Sequence, residues 1–145
     1  MAESTRFHNI DLIKKDLGYQ QVGNSTLFVK TGKYLLSPSV SAGEAGSYWI
    51  DIRQANLEQI PDRTQCDFLI RIVPDMFCLC KLSAIRKLLS PALMDNRPNS
   101  GNVWGIKLEI KKFKKTVEIR SNRDMMNSVT VPLLDKEEVI RSFKK

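Results

Sequence analysis

The sharpest chemical pattern in the 145-residue chain is Glu109-Ile110-Lys111, on a stretch of strand-like alternation, with Pro74-Asp75 upstream. Two carboxylates can hold Mg²⁺ against a phosphate while a lysine orients or activates water. Period-two alternation places Glu109 and Lys111 on one strand face. Asp51 and Asp67 are substitute carboxylates, and Mg²⁺ is the one cofactor this chemistry requires. Against it, an expected strand, a helix and a proline-containing loop separate Asp75 from Glu109. Lysine is also abundant nearby, at Lys107, Lys112, Lys114 and Lys115, so an E-x-K tripeptide arises readily from composition.

A second constellation is aromatic and polar: Tyr48, Trp49, Asp51, Arg53 and Asn56, with Trp104 on a later strand. An indole beside an acid can line a pocket for a flipped or modified base, stacking on it and accepting from its exocyclic amine. The plainer reading makes Trp49 a half-buried core residue and Asp51 and Arg53 a cross-strand pair.

The third feature is charge. The net charge is +7 and the pI about 9.5. Residues 1–60 hold six basic and six acidic residues, whereas residues 61–145 hold 17 and 10, which accounts for the whole excess. Lys107 to Arg123 is densest, with Lys107, Lys111, Lys112, Lys114, Lys115, Arg120 and Arg123 against Glu109 and Glu118. Such a run displaces counterions from a phosphate backbone. Lysines guarding a sheet edge are the structural alternative. Arg97, Asn96, Asn99 and Asn102 suit base readout, since arginine pairs with guanine and asparagine with adenine, although asparagine is equally a turn residue.

Other chemistries find little support. There is no glycine-rich phosphate loop, no G-x-S-x-G and no H-E-x-x-H. His8 is the single histidine. The cysteines Cys66, Cys78 and Cys80 lack the spacing of a disulfide framework, and a zinc site at Cys78 and Cys80 lacks two further soft ligands. They read as small buried hydrophobes. No apolar run approaches the ~18–20 residues that span a bilayer, so a cytoplasmic, non-membrane protein is expected.

These residues need elements to position them. Asn9 as N-cap and Gly18 beyond the end predict a helix over 10–17. Leu27–Lys30 and Tyr34–Leu36 predict a hairpin around Thr31-Gly32-Lys33, and 37–47 an exposed loop. Strands are expected at Tyr48–Arg53, Asp67–Val73 and Phe77–Lys81, with a helical turn at Asn56–Ile60 and a helix over Ala84–Leu89 capped by Ser83. Ser90–Asn102 reads as a long loop. Val103–Ile110, Thr116–Arg120 and Ser128–Leu133 read as an antiparallel set, and Asp135 caps a helix over Lys136–Phe143. The expected fold is α+β over 1–145: a curved, mainly antiparallel sheet or partial barrel of about seven strands with three short helices.

Three phrases, SYWIDIRQANLEQI (47–60), FLIRIVPDMF (68–77) and NVWGIKLEI (102–110), resemble the accessory DNA-recognition region, a B-three-like pseudobarrel, of bacterial restriction endonucleases. The resemblance implies a defence role on double-stranded DNA, reading a short sequence or modified base, with catalysis on a further C-terminal part or another subunit. It carries over no individual contact. From the residues themselves, phosphate contacts are expected from Lys107, Lys111, Lys112, Lys114, Lys115 and Arg120, base readout from Arg97 and Asn99, and pocket walls from Trp49 or Trp104. The rival readings are a Mg²⁺-dependent PD-(D/E)xK-type nuclease using Asp75, Glu109 and Lys111, and a non-catalytic protein-interaction module.

Overall fold

The computed structural model describes residues 10–23, 25–42, 47–61, 65–73, 75–99 and 101–144. His8, Asn9 and Pro74 lie outside them. In chain order the strands are β1 (Gln20–Gln21), β2 (Leu27–Lys30), β3 (Lys33–Leu36), β4 (Ser41–Ala42) and β5 (Ser47–Arg53). After helix α1 (Gln54–Leu57) come β6 (Cys66–Val73), β7 (Met76–Lys81), β8 (Asp95–Arg97), β9 (Gly101–Lys111), β10 (Thr116–Ser121) and β11 (Asp124–Leu134), then helix α2 (Lys136–Phe143). The sheet runs β1-β2-β3-β6-β7-β11-β10-β9-β5-β4, with β8 paired to the start of β9. Every pairing is antiparallel except β3 with β6. A parallel neighbour requires a long crossover. Here that crossover carries β4, β5 and α1 to the far end of the sheet before the chain returns.

Strand β11 joins the two halves, pairing along β10 and then, at Leu133 and Leu134, with Cys78 and Phe77 of β7. The sheet folds over on itself, so Leu36, Phe68 and Ile70 of one half pack with Ile50, Ile52, Trp104, Ile106, Leu108, Val117 and Ile119 of the other. A second core lies on the opposite face of β2, β3, β6 and β7. There Phe28, Leu35, Leu69 and Phe77 meet Leu12, Ile13 and Leu17 from the N-terminal helical turn and Val139 from α2. This explains the near-continuous apolar run of β6: Phe68 and Ile70 serve one core and Leu69 the other.

Local chemistry accounts for the elements. Thr31 (φ 49°) and Gly32 (φ 81°) form the two-residue turn between β2 and β3, with positive φ at both positions as a type I′ hairpin demands. Asp135 closes a capping box: its side chain accepts from Glu138 N–H at 2.8 Å, and the Glu138 side chain accepts from Asp135 N–H at 3.1 Å. Gly18 (φ 77°) ends the first helical turn, which is a π-turn over Leu12–Asp16, with Leu17 N–H bonded to Leu12 O.

Several expectations are corrected. Among the described residues eleven strands replace about seven, because β1, β4 and β8 are two or three residues long and too short to show a period. The helix expected over Ala84–Leu89 is a 3₁₀ helix over Leu82–Leu88, and the turn expected at Asn56–Ile60 is α1, two residues earlier. The expected long loop Ser90–Asn102 holds a 3₁₀ turn at Pro91–Leu93 and the β8–β9 hairpin. Among the described residues, no helix is long and apolar enough to cross a membrane.

Candidate nucleic-acid interface

The strand pairings β5–β9–β10–β11 put Trp49, Lys107, Arg120 and Ser128 in one row across the outer face of the sheet. Ser47, Glu109, Glu118 and Thr130 form the next row. The inner face is apolar, so alternation turns Lys107, Glu109, Lys111, Glu118 and Arg120 outward. Opposite charges then meet on that face, within a strand as well as across strands. Lys111 Nζ stands 2.8 Å from Glu109 Oε1 and 3.7 Å from Glu118 Oε2, and Arg120 Nη2 donates to Glu118 Oε2 at 2.7 Å. The hydrogen bond from Lys111 holds the Glu109 carboxyl below its ordinary range, and the same bond raises the Lys111 ammonium. Lys107 differs: its Nζ lies 5.9 Å from the centroid of the Trp49 ring.

Beyond this face the β9–β10 hairpin ends in a four-residue tip, Lys112-Phe113-Lys114-Lys115, set by the pairing of Lys111 with Thr116. Residues Lys112–Lys114 make a 3₁₀ turn, and Lys115 (φ 53°) closes it in the left-handed region. Leu133 N–H of β11 donates to Lys115 O at 2.8 Å, fixing the base of the tip to a third strand. All four side chains are exposed. Among the described residues, no carboxylate lies within salt-bridge distance of Lys112, Lys114 or Lys115. Of the seven basic residues, Lys111, Arg120 and Arg123 are paired with carboxylates, Lys107 lies beside Trp49, and Lys112, Lys114 and Lys115 at the tip have no carboxylate partner among the described residues.

Trp49 also lines a cavity of about 520 Å³ at the β4–β5 edge, with Asp51, Arg53, Asn56, Thr26, Ser39 and Ser41 among its walls. The indole is 37% exposed. Asn56 Nδ2 donates to Thr26 Oγ1 at 3.3 Å, tying α1 to the segment before β2. One indole face, a carboxylate, a guanidinium and several hydroxyls converge here, a set that can stack a flat heterocycle and bond its edge. A larger cavity, about 710 Å³, lies on the outer face of the other half, beneath Phe143. Two of its lysines are engaged, Lys30 with Leu17 O at 3.0 Å and Lys81 with Asp67 at 2.9 Å.

The remaining predicted residues are placed differently. Trp104 is 3% exposed in the core, its Nε1–H donating to Ser90 O at 2.8 Å, so it lines no surface pocket. Its even-numbered position on β9 shares the inner face with Ile106 and Leu108. Arg97 is bound to Asp51 at 2.7 Å and stands 3.8 Å from Asp95. Asp95 in turn bonds Arg123, which, with Asn122 and Arg97, holds its carboxyl below the ordinary range. Asn96 Nδ2 donates to Asn102 Oδ1, and Asn102 Nδ2 to Gln54 Oε1. Asn99 is exposed at the β8–β9 turn. Arg97 thus braces the cavity wall through Asp51.

Asp75 stands apart from Glu109 and Lys111, with β11 and β10 between β7 and β9. Its Oδ1 accepts from Lys136 N–H at 3.0 Å, satisfying a free donor at the start of α2. Asp67 faces the second core side, bound to Lys81, and Asp51 is four positions along β5 from the partner of Glu109, roughly 13 Å away. Among the described residues, no three His, Cys, Asp or Glu side chains cluster closely enough to hold a metal ion. Phe113, a single aromatic in the lysine run and so no stacking platform by sequence alone, is fully exposed at the lysine tip. An aromatic inside a lysine run is the signal that marked it. Comparison with protein-family models, curated proteins and solved structures finds no match to this chain.

Proposed function

We propose that this chain is a DNA-recognition module that grips the duplex backbone with the β9–β10 hairpin and reads a base at the Trp49 cavity. Its place is in a restriction or defence system, beside a nuclease domain or subunit. The observation that carries the reading is the set of exposed cations at Lys112, Lys114 and Lys115, without a carboxylate partner among the described residues, on the hairpin that also carries Lys107. Three ammonium groups held together without a carboxylate repel one another, and a polyphosphate relieves that repulsion. Phosphate contacts position a protein without specifying sequence. Specificity then falls to the cavity, where Trp49 offers a stacking face and Asp51 an acceptor for an exocyclic amine. The reading contains no catalytic step, since Asp75 is engaged at the start of α2.

The test is a duplex-binding titration at ~50 and ~200 mM salt, where several phosphate contacts give a steep loss of affinity. A duplex carrying one unpaired cytosine or adenine should bind more tightly than its matched counterpart, and Trp49→Ala should remove that difference, about tenfold for one lost base stack. No duplex binding at the lower salt overturns the proposal.

A further inference from the structure

We infer that Phe113 is a wedge that enters the DNA stack between two base pairs while the lysines around it hold the flanking phosphates. This rests on the DNA reading above and adds a deformation to it. Phe113 has a relative exposure of 106%, so none of the described residues covers its ring. It is carried on a braced turn: Lys115 N–H bonds Lys112 O at 3.2 Å, and Leu133 N–H bonds Lys115 O at 2.8 Å. A large apolar ring on a hydrogen-bonded turn has little backbone freedom left to lose on insertion and leaves an unfavourable environment when it inserts. Lys112 flanks it on one side and Lys114 and Lys115 on the other, and the tip contains no acid.

That charge decides the occupant. A protein groove would have to supply a dense acidic rim to receive this tip, whereas duplex DNA has closely spaced phosphates on either side of every base step. Proteins that kink DNA use the same pairing of apolar wedge and flanking cations, unstacking one step to wrap more surface. An anionic lipid surface also offers negative charge over an apolar layer. But it has no use for the flat outer-face row of Trp49, Lys107 and Arg120, of which Lys107 and Arg120 stand on the two strands that carry the tip.

The experiment uses the full chain with a duplex of about 20 base pairs carrying 2-aminopurine, whose fluorescence rises on unstacking, and a separate arm of phosphatidylserine vesicles. Wild type should bind the duplex and raise the fluorescence. Phe113→Ala should bind about tenfold more weakly, with the slope of affinity against salt unchanged and the fluorescence flat. Phe113→Leu, which keeps an apolar wedge, should retain most of both signals. If wild type and Phe113→Ala bind DNA equally and neither disturbs 2-aminopurine, the wedge is wrong and the DNA reading stands. If wild type ignores the duplex, with or without binding vesicles, both fall.

Discussion

Replacing Lys112, Lys114 and Lys115 together by glutamine separates the available basic residues from the paired ones. Each lysine that neutralises a phosphate adds about 0.9 to the slope of log affinity against log salt. Because none of the three has a carboxylate partner among the described residues, all three are available to DNA. The variant should therefore lose roughly 2.7 from the slope. Between ~50 and ~200 mM salt, those contacts correspond to a roughly 40-fold fall in affinity in the wild type. The matched control is Lys111→Gln with Glu109→Gln, which removes the 2.8 Å ion pair at constant net charge. A lysine already neutralised by its neighbour releases few counterions on binding, so this pair should change the slope by less than about 0.5. Fluorescence anisotropy with a labelled duplex over a salt series measures both. Equal effects from the two variants, or a triple variant with wild-type slope, would refute the division into paired and available cations.

Three further outcomes follow from the fold. Asp135→Ala removes the capping box of α2 and should cost about 1 kcal/mol, read as a lower urea midpoint. An unchanged midpoint would mean that packing of Val139, Ile140 and Phe143 holds the helix without the cap. Thr31→Asn should raise stability by about 0.5 kcal/mol, because a β-branched residue at φ 49° is strained where asparagine is tolerated; a loss on urea unfolding would contradict this. The third concerns pH. Burial, aided by the nearby Asp67 charge, pushes the Cys66 and Cys80 thiols up to about 12, and burial pushes Cys78 up as well. Above the ordinary thiol value, the native state then binds more protons than the unfolded chain. Stability should fall as pH rises from about 9 towards about 12, by up to ~1.4 kcal/mol per pH unit for each thiol. Urea midpoints at pH 8 and 10, compared with a Cys66→Ala, Cys78→Ala and Cys80→Ala variant, measure this. Equal slopes for the two proteins would exclude the cysteines as its source.

Much of this architecture was legible in residue order because its determinants are local. The hairpin turn at Thr31-Gly32, the strands over Tyr48–Arg53 and Thr116–Arg120, and the Asp135 cap with Glu138 three residues on each depend on spacing within a few positions. Alternation likewise set Lys107, Glu109 and Lys111 on one face before any partner strand was known. The short strands β1, β4 and β8 were not legible. Two or three residues carry no period, and they are strands only because β2, β5 and β9 lie beside them.

The candidate site divides along the same line. Its cationic character follows from composition alone, since charge needs no fold to exist. Which cations remain available was decided by the sheet: Glu118 of β10 reaches Lys111 of β9 as well as its own strand's Arg120, while among the described residues no carboxylate lies within salt-bridge distance of the tip. The two tryptophans show the same dependence. Trp49 and Trp104 look alike in sequence, yet register sends one indole to the outer face and the other into the core, bonded to Ser90 O. Asp75 has an acid's chemistry in any context, but the fold commits it to the start of α2. Residue type specifies what a side chain can do; sheet order and register, set by burying two cores at once, determine which groups meet a ligand and which meet each other.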